Sequence, residues 1–416
     1  MTNSLLKVVF ILPFLLGNGS FFFAQSSTWI TYNDLNSGLP NNAVHCITHD
    51  QLNNIWIGTD NGLASFDGEN WVVYNSSNSP LQENYIRALA IDTNNVLWLG
   101  TTMHGLYRYD GQSWVNFTTL NSNIPDNFIR TITIDSLNRK WIGTADGLAL
   151  YDDLTWTIWN TQTSDLLSNN ITSIAIDSQN KKYIGSINGG LAYMTNSLLE
   201  IYTILNANVP DNSVISIQID ETDKPWFAST AQGLFTDTGN QTWLSFNTSN
   251  SQIQTNSLTC FRIDPLQNFI IGTLQNGLVI RTNNSDWINF TQENSDISDN
   301  HILSIDIDNE NNIWIGTETG GLVRLKMNQA LIDELPQNNH VQIYPNPTQS
   351  NASIRIKNVS SEARVYLYQP NGKHLNTPLS HLDHDRYLLP EIVDGMYFLH
   401  VVDNGIHHIS KLVIHQ

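Results

Sequence analysis

Trp56-Ile57-Gly58-Thr59 decides how this chain is read, because it comes back. It recurs as Trp98-Leu99-Gly100-Thr101, Trp141-Ile142-Gly143-Thr144 and Trp314-Ile315-Gly316-Thr317, with weaker copies starting at Tyr183, Trp226 and Ile270. Successive copies start 42, 43, 42, 43, 44 and 44 residues apart. Six residues before each stands an aspartate: Asp50, Asp92, Asp135, Asp177, Asp220, Asp264 and Asp308. Six or seven residues after each start comes Gly-Leu, at Gly62, Gly105, Gly147, Gly190, Gly233, Gly277 and Gly321. Self-similarity at this period marks a repeat architecture.

Each unit reads as four short strands. Apolar residues alternate with polar or small ones from Val44 to Asp50, and the Trp-Ile-Gly-Thr box is a second strand. A third begins at Gly62 and a fourth is Trp71-Val72-Val73-Tyr74. Between third and fourth lie Asp67-Gly68 and Asp110-Gly111, which supply the positive φ of tight hairpins. Four strands in about 43 residues make one propeller blade. The fourth strands start at Trp29, Trp71, Trp114, Trp156, Leu199, Trp243 and Trp287, so one precedes the first box and none follows the last. The spacing therefore predicts an all-β, seven-bladed propeller in which Trp29–Tyr32 completes the blade begun by residues 302–327 and removes the open sheet edge.

The chain has 416 residues, with 38 Asp and Glu against 19 Lys and Arg, a formal charge of −19. That field excludes a basic nucleic-acid surface, and a 40% hydrophobic content excludes intrinsic disorder. Residues 1–24 read as a signal peptide: Lys7, then the apolar run Val8 to Leu16, then Phe21-Phe22-Phe23-Ala24 before Gln25. That run is far shorter than the about 20 residues a membrane span needs, so an exported protein without an integral membrane segment is expected. Two cysteines, Cys46 and Cys260, fall at one register of blades one and six; with a blade between them they read as small core residues.

The box, the Gly-Leu and the following Tyr-Asp resemble the repeats of the two-component-regulator propeller family, over residues 28–327. Members of that family often form periplasmic sensing parts of hybrid histidine kinases, and related seven-bladed proteins include streptogramin lyases. This chain departs from the sensor arrangement in having one ring, no spanning segment and no kinase region, so a receptor role is not carried over.

The repeats stop after Lys326. The propeller is assigned to residues 25–328, a linker to 329–339 and a small C-terminal antiparallel β-sandwich to 340–416. Alternation at Ala352–Ile356, Arg364–Tyr368, Met396–Val402 and Ile409–Ile414 supplies its strands. Tyr344-Pro345-Asn346-Pro347, Val365-Tyr366-Leu367-Tyr368, Asn371-Gly372-Lys373, Gly395-Met396-Tyr397-Phe398 and Lys411-Leu412-Val413-Ile414 resemble the type A C-terminal sorting domain of type IX secretion. Gln369 departs from the usual Asp. The resemblance implies that the secretion machinery is a partner of residues 340–416, and that the protein is released from or attached to the surface of a Gram-negative cell.

The twelve tryptophans all fall on repeated positions and read as packing rather than as a sugar platform. The seven aspartates read as Asx turns, lacking the alternating carboxylates of a calcium loop. His381 and His384 read as a solvated loop, and no metal or cofactor is expected. What does not repeat is the second residue of each first strand: His45, Arg87, Arg130, Thr172, Ile215, Thr259 and Leu303. His45, Arg87 and Arg130 on consecutive blades suggest a pocket for a carboxylate or acidic sugar, the alternative being that the arginines simply pair with nearby carboxylates. The loops carrying Asp60, His104, Asp146, Gln232, Gln275 and Glu318 share that face and vary in length. The function expected is binding of a glycan, peptide or protein partner there. A lyase or hydrolase on the same face, with His104 or His45 beside Arg87, is the enzymatic alternative, and a structural surface scaffold a third.

Overall fold

The computed structural model describes residues 28–327 apart from 196, 197, 240 and 284, and seven stretches beyond them: 342–344, 353–357, 364–368, 379–383, 386–390, 395–403 and 406–414. The signal peptide and the linker lie outside the described residues. Residues 26–327 form one compact unit, and the strands from 342 onward belong to another.

The first unit is a seven-bladed propeller. Blade one comprises Val44–His49, Ile55–Thr59, Gly62–Phe66 and Trp71–Tyr74 in that sheet order, and five further blades repeat it. In blade seven, Ile302–Ile307, Ile313–Thr317 and Leu322–Lys326 are completed by Thr28–Tyr32, which runs antiparallel to the last of them from Thr28 opposite Lys326 to Tyr32 opposite Leu322. The ring is closed by joining the two ends of this unit, as the spacing predicts.

Each blade is built on the aspartate before its box. Asp92 Oδ1 accepts the N–H groups of Asn94 and Val96 at 2.9 and 3.1 Å, and Oδ2 accepts the indole N–H of Trp98 at 3.1 Å. The same indole bond recurs from Trp56, Trp141, Trp226 and Trp314, and Tyr183 makes it through its hydroxyl. These carboxylates thus close the first hairpin and anchor the box. Asn53, Asn95, Asn138, Asn180, Asp223, Gln267 and Asn311 take the left-handed position of those turns. Blade six has Ile270 at the box start and no indole donor; there burial raises the pKa of Asp264.

The fourth-strand tryptophans pack between blades. Trp71 lies 5.7 Å from Tyr32, Trp114 5.7 Å from Tyr74, Trp156 5.7 Å from Phe117, and Trp29 5.2 Å from Phe290, ring to ring. A second ring of contacts has no counterpart in the sequence reading. The carbonyl of Asn84, just before blade two, accepts the N–H of Gly62 in blade one, and Asn127, Asn169, Asn212, Asn256, Asn300 and Asn42 repeat this around the circle. Asn42 to Gly321 closes it between blades one and seven.

In the second unit, one sheet carries Gln342–Tyr344, Ser353–Lys357, Arg386–Leu388 and Ser380–Asp383 in that order, and the other Arg364–Tyr368, Gly395–Asp403 and Ile406–Ile414. Ile354, Val365, Leu367, Tyr387, Tyr397, Leu399 and Leu412 share one buried cluster. The loop assigned around His381 is corrected: Ser380–Asp383 is a strand, with His381 opposite Tyr387. Leu379, buried just before it, ties that segment to the core. His384 lies outside the described residues.

Candidate functional site

The propeller axis is a channel of about 460 Å³. In every blade the pairing of first and second strands slips by one residue, between Val44 and Cys46, Ile86 and Ala88, Ile129 and Thr131, and at the matching places in the other four. The skipped residue is always the non-repeating second one. A β-bulge takes its extra residue out of the ladder and re-aims the side chain. All seven of these residues line the channel.

The box glycine is part of the same device. A Cβ on Gly143 would stand 2.6 Å from Thr131 Cγ2 in its own blade and 2.8 Å from Ile171 Cγ2 in the next. The residue after each bulge is accordingly small: Cys46, Ala88, Thr131, Ser173, Ser216, Cys260 and Ser304. Ser304 Oγ donates to Val44 O of the next blade at 3.1 Å, and Cys46 Sγ makes the equivalent contact with Ile86 O at 3.6 Å. Both cysteines are free, and burial pushes their thiols up to about 12 for Cys46 and about 11 for Cys260. They are small packing residues.

Three blades give the channel mouth its basic side chains. Arg87 and Arg130 both line it, and no hydrogen bond or ion pair joins either to another of the described residues. The guanidinium of Arg130 lies 4.3 Å over the Phe128 ring, and its Nε is dry and unpartnered. Burial lowers its pKa most, the like charge of Arg87 lowers it further, and Asp126 opposes both. His45 donates from Nε2 to Asp60 Oδ1 at 2.6 Å, the tautomer being assigned from that partner, and stacks on Tyr85 at 4.5 Å. The His45 side chain is 6% exposed and that of Asp60 43%.

The remaining channel residues include Thr131, Thr172, Thr259 and Arg262 but no Asp or Glu. In a chain with 38 acidic residues, the wall is cationic. Neither arginine forms an ion pair with a carboxylate among the described residues; Asp126 acts on Arg130 only through its charge.

The loop residues are placed differently. Asp60 braces His45. Asp146 accepts Asn169 Nδ2 at 2.7 Å, Gln232 donates its backbone N–H to Ser229 Oγ at 3.0 Å, and Glu318 donates its own to His301 O at 3.1 Å. His104 Nδ1 is 3.5 Å from Glu83 Oε2, and Gln275 stands in the matching turn after Thr273. These six sit at the same end of the blades as the bulges, yet none lines the channel. Of the two histidines considered beside Arg87, His45 shares the channel wall with it and His104 does not. Among the described residues no cluster of His, Cys, Asp and Glu could hold a metal ion.

Sequence reasoning missed Arg262, in the fifth position of its strand and also on the channel wall. It also missed an ion pair across the closing blades, His49 Nδ1 to Asp306 Oδ2 at 2.7 Å. Asp306 raises the pKa of His49 by hydrogen bonding and charge, with desolvation opposing and Asp308 adding to it. Of the sorting motif, Tyr344, Gly395, Tyr397 and Lys411 lie on strands, with Tyr397 buried opposite Leu412. Pro345, Asn346, Pro347, Gly372 and Lys373 lie outside the described residues.

Comparison with known proteins agrees with this architecture. Residues 342–415 match the family model of the secretion system C-terminal sorting domain, and residues 38–61, 80–103 and 296–319 match that of the two component regulator propeller. No curated protein matches the sequence. Among solved structures, the extracellular domain assigned to the hybrid two component system BT3049 of B. thetaiotaomicron is 19% identical, with 93% of this chain and 57% of that one covered and a TM-score of 0.65. PorZ, a bacterial surface component of the type IX secretion system of Porphyromonas gingivalis, is 17% identical, covering 91% and 60%, with a TM-score of 0.58. Virginiamycin B lyase from Staphylococcus aureus is 15% identical, covering 73% and 100%, with a TM-score of 0.59. This chain thus spans under two thirds of the first two structures, and at these identities the likeness is one of fold. The chain combines a seven-bladed propeller with a sorting domain that points to type IX export, to the medium or the cell surface of a Gram-negative bacterium. No described helix is long and apolar enough to cross a membrane.

Proposed function

We propose that this is an exported binding protein whose channel mouth receives a carboxylate of a glycan, peptide or protein partner. One observation carries the reading: Arg87 and Arg130 stand on adjacent blades, neither in an ion pair with any described residue, and the residues lining the channel include no Asp or Glu. Two like charges held close in a partly buried site repel each other, and an anion between them relieves both at once. Guanidinium groups are also the side chains best shaped for paired hydrogen bonds to a carboxylate. The surrounding acidic surface disfavours anions elsewhere, which gives the mouth selectivity.

A thermal-shift screen of the full chain against neutral sugars, uronic acids and acidic peptides tests this. A ligand at 100 times its dissociation constant adds about 2.7 kcal/mol to the folded state. The midpoint should rise with carboxylate-bearing compounds and not with their neutral counterparts, and the rise should vanish in Arg87→Ala/Arg130→Ala. A rise that survives in the double variant would put the ligand elsewhere.

A further inference from the structure

Arg262 gives the channel a second basic level. It lies in blade six, three residues beyond the bulge residue Thr259, which at about 3.3 Å per residue is roughly 10 Å further along the axis. Its Nη1 donates to the Phe261 carbonyl at 3.1 Å, and no carboxylate pairs with it among the described residues. The same register position carries Gln218 in blade five and Asp306 in blade seven, set by pairing with Trp226 and Trp314 as Arg262 is with Ile270. Asp306, the carboxylate at that register in the next blade, is bonded to His49 at 2.7 Å. Gln218 donates to its own strand, to the Ile217 carbonyl at 2.8 Å. Arg262 lines the cavity with no ion pair among the described residues, and the channel wall between the two levels carries no charged side chain.

We propose that the channel takes an elongated dianion, one carboxylate held by Arg87 and Arg130 at the mouth and the other by Arg262 at depth. The inference rests on the mouth binding a carboxylate and adds to it a length requirement: the two levels are offset by about 10 Å along the axis, so the two anionic groups must be well separated. Ligands with one carboxylate, or with two close together, reach the mouth alone. Tethering the second group makes its binding intramolecular, so the gain appears only when the span matches.

Isothermal titration of the full chain with a series of straight-chain dicarboxylates, from succinate to sebacate, with hexanoate as the monoanion, tests this at low salt. Affinity should rise at least tenfold between succinate and the longer members. In Arg262→Gln that advantage should disappear while hexanoate binding stays within about twofold, and Arg262→Lys should restore part of it. Arg87→Gln/Arg130→Gln should weaken every compound. Affinity independent of length, or a length advantage retained in Arg262→Gln, overturns the second level while leaving the mouth standing. If neither hexanoate nor any dicarboxylate binds, the mouth reading fails and this one with it.

Discussion

Asp92→Asn would test whether the buried carboxylate, rather than the fold of the hairpin alone, holds the tryptophan box in place. The replacement keeps a carbonyl oxygen for the N–H groups of Asn94 and Val96. It turns an amide N–H₂ toward the indole N–H of Trp98, which is 0% exposed, and toward Lys140 Nζ, 3.6 Å from Oδ2 and 1% exposed. A stranded buried donor costs about 1–3 kcal/mol. Lys140 keeps Asp153 at 2.7 Å, so the ammonium is not left alone. The expected loss is therefore about 2–4 kcal/mol. Urea unfolding followed by tryptophan fluorescence reads it cleanly, since every tryptophan falls between Trp29 and Trp314. The cycle with Trp98→Phe isolates the bond: once the indole donor is gone, Asp92→Asn should cost about 1–3 kcal/mol less. Additivity within about 0.5 kcal/mol would refute the reasoning.

Ring closure should depend on pH through His49. Its folded pKa is raised, so the stabilisation is fully present below the unfolded value near 6.5 and is lost as pH rises through the folded value. The stability gap between the native chain and His49→Gln should shrink between pH 6 and pH 9 in thermal midpoints; a gap independent of pH counts against it. Arg87→Gln should raise the thermal midpoint of the ligand-free protein slightly, because it removes the like charge felt by Arg130. A destabilised variant would mean that Arg87 has a structural partner. Asn42→Ala removes the side-chain oxygen that accepts Asp34 N–H at 3.0 Å, an exposed bond, and should cost about 1 kcal/mol or less by urea unfolding. Gly143→Ala must push against both Thr131 and Ile171 and should cost about 1–3 kcal/mol by the same measurement.

The blade count and closure were legible because both rest on residues that packing forces to recur. The box glycine must stay small under the next blade, and the aspartate must serve both the turn and the indole. The asparagine clasp recurs just as strictly, because each Asn gives its carbonyl to the glycine N–H and its side-chain Oδ1 to the N–H eight residues earlier, as Asn84 does for Gly62 and Ser76; an Asn repeated among so many loop asparagines does not announce that pairing in the sequence. His49 and Asp306 were illegible for another reason. They stand 257 residues apart, and only the closed ring brings the first and last blades together. Arg262 looks like one more polar residue in an alternating strand until the bulge before it is known.

That bulge explains why the chemistry gathers where it does. A propeller's inner strands are otherwise committed: their alternating side chains pack against neighbouring blades, and Ile47, Ile132 and Ile217 are all buried. Slipping the ladder by one residue frees a single position per blade from that duty, on the one surface that all seven blades share. Identity at that position costs the fold almost nothing, as the set His45, Arg87, Arg130, Thr172, Ile215, Thr259 and Leu303 demonstrates. The same freedom would let a mouth of neutral residues stand in any of these blades. Placing two guanidinium groups side by side there costs electrostatic energy in the ligand-free state, where threonine or leucine would not. That electrostatic cost is what the proposed carboxylate ligand would relieve.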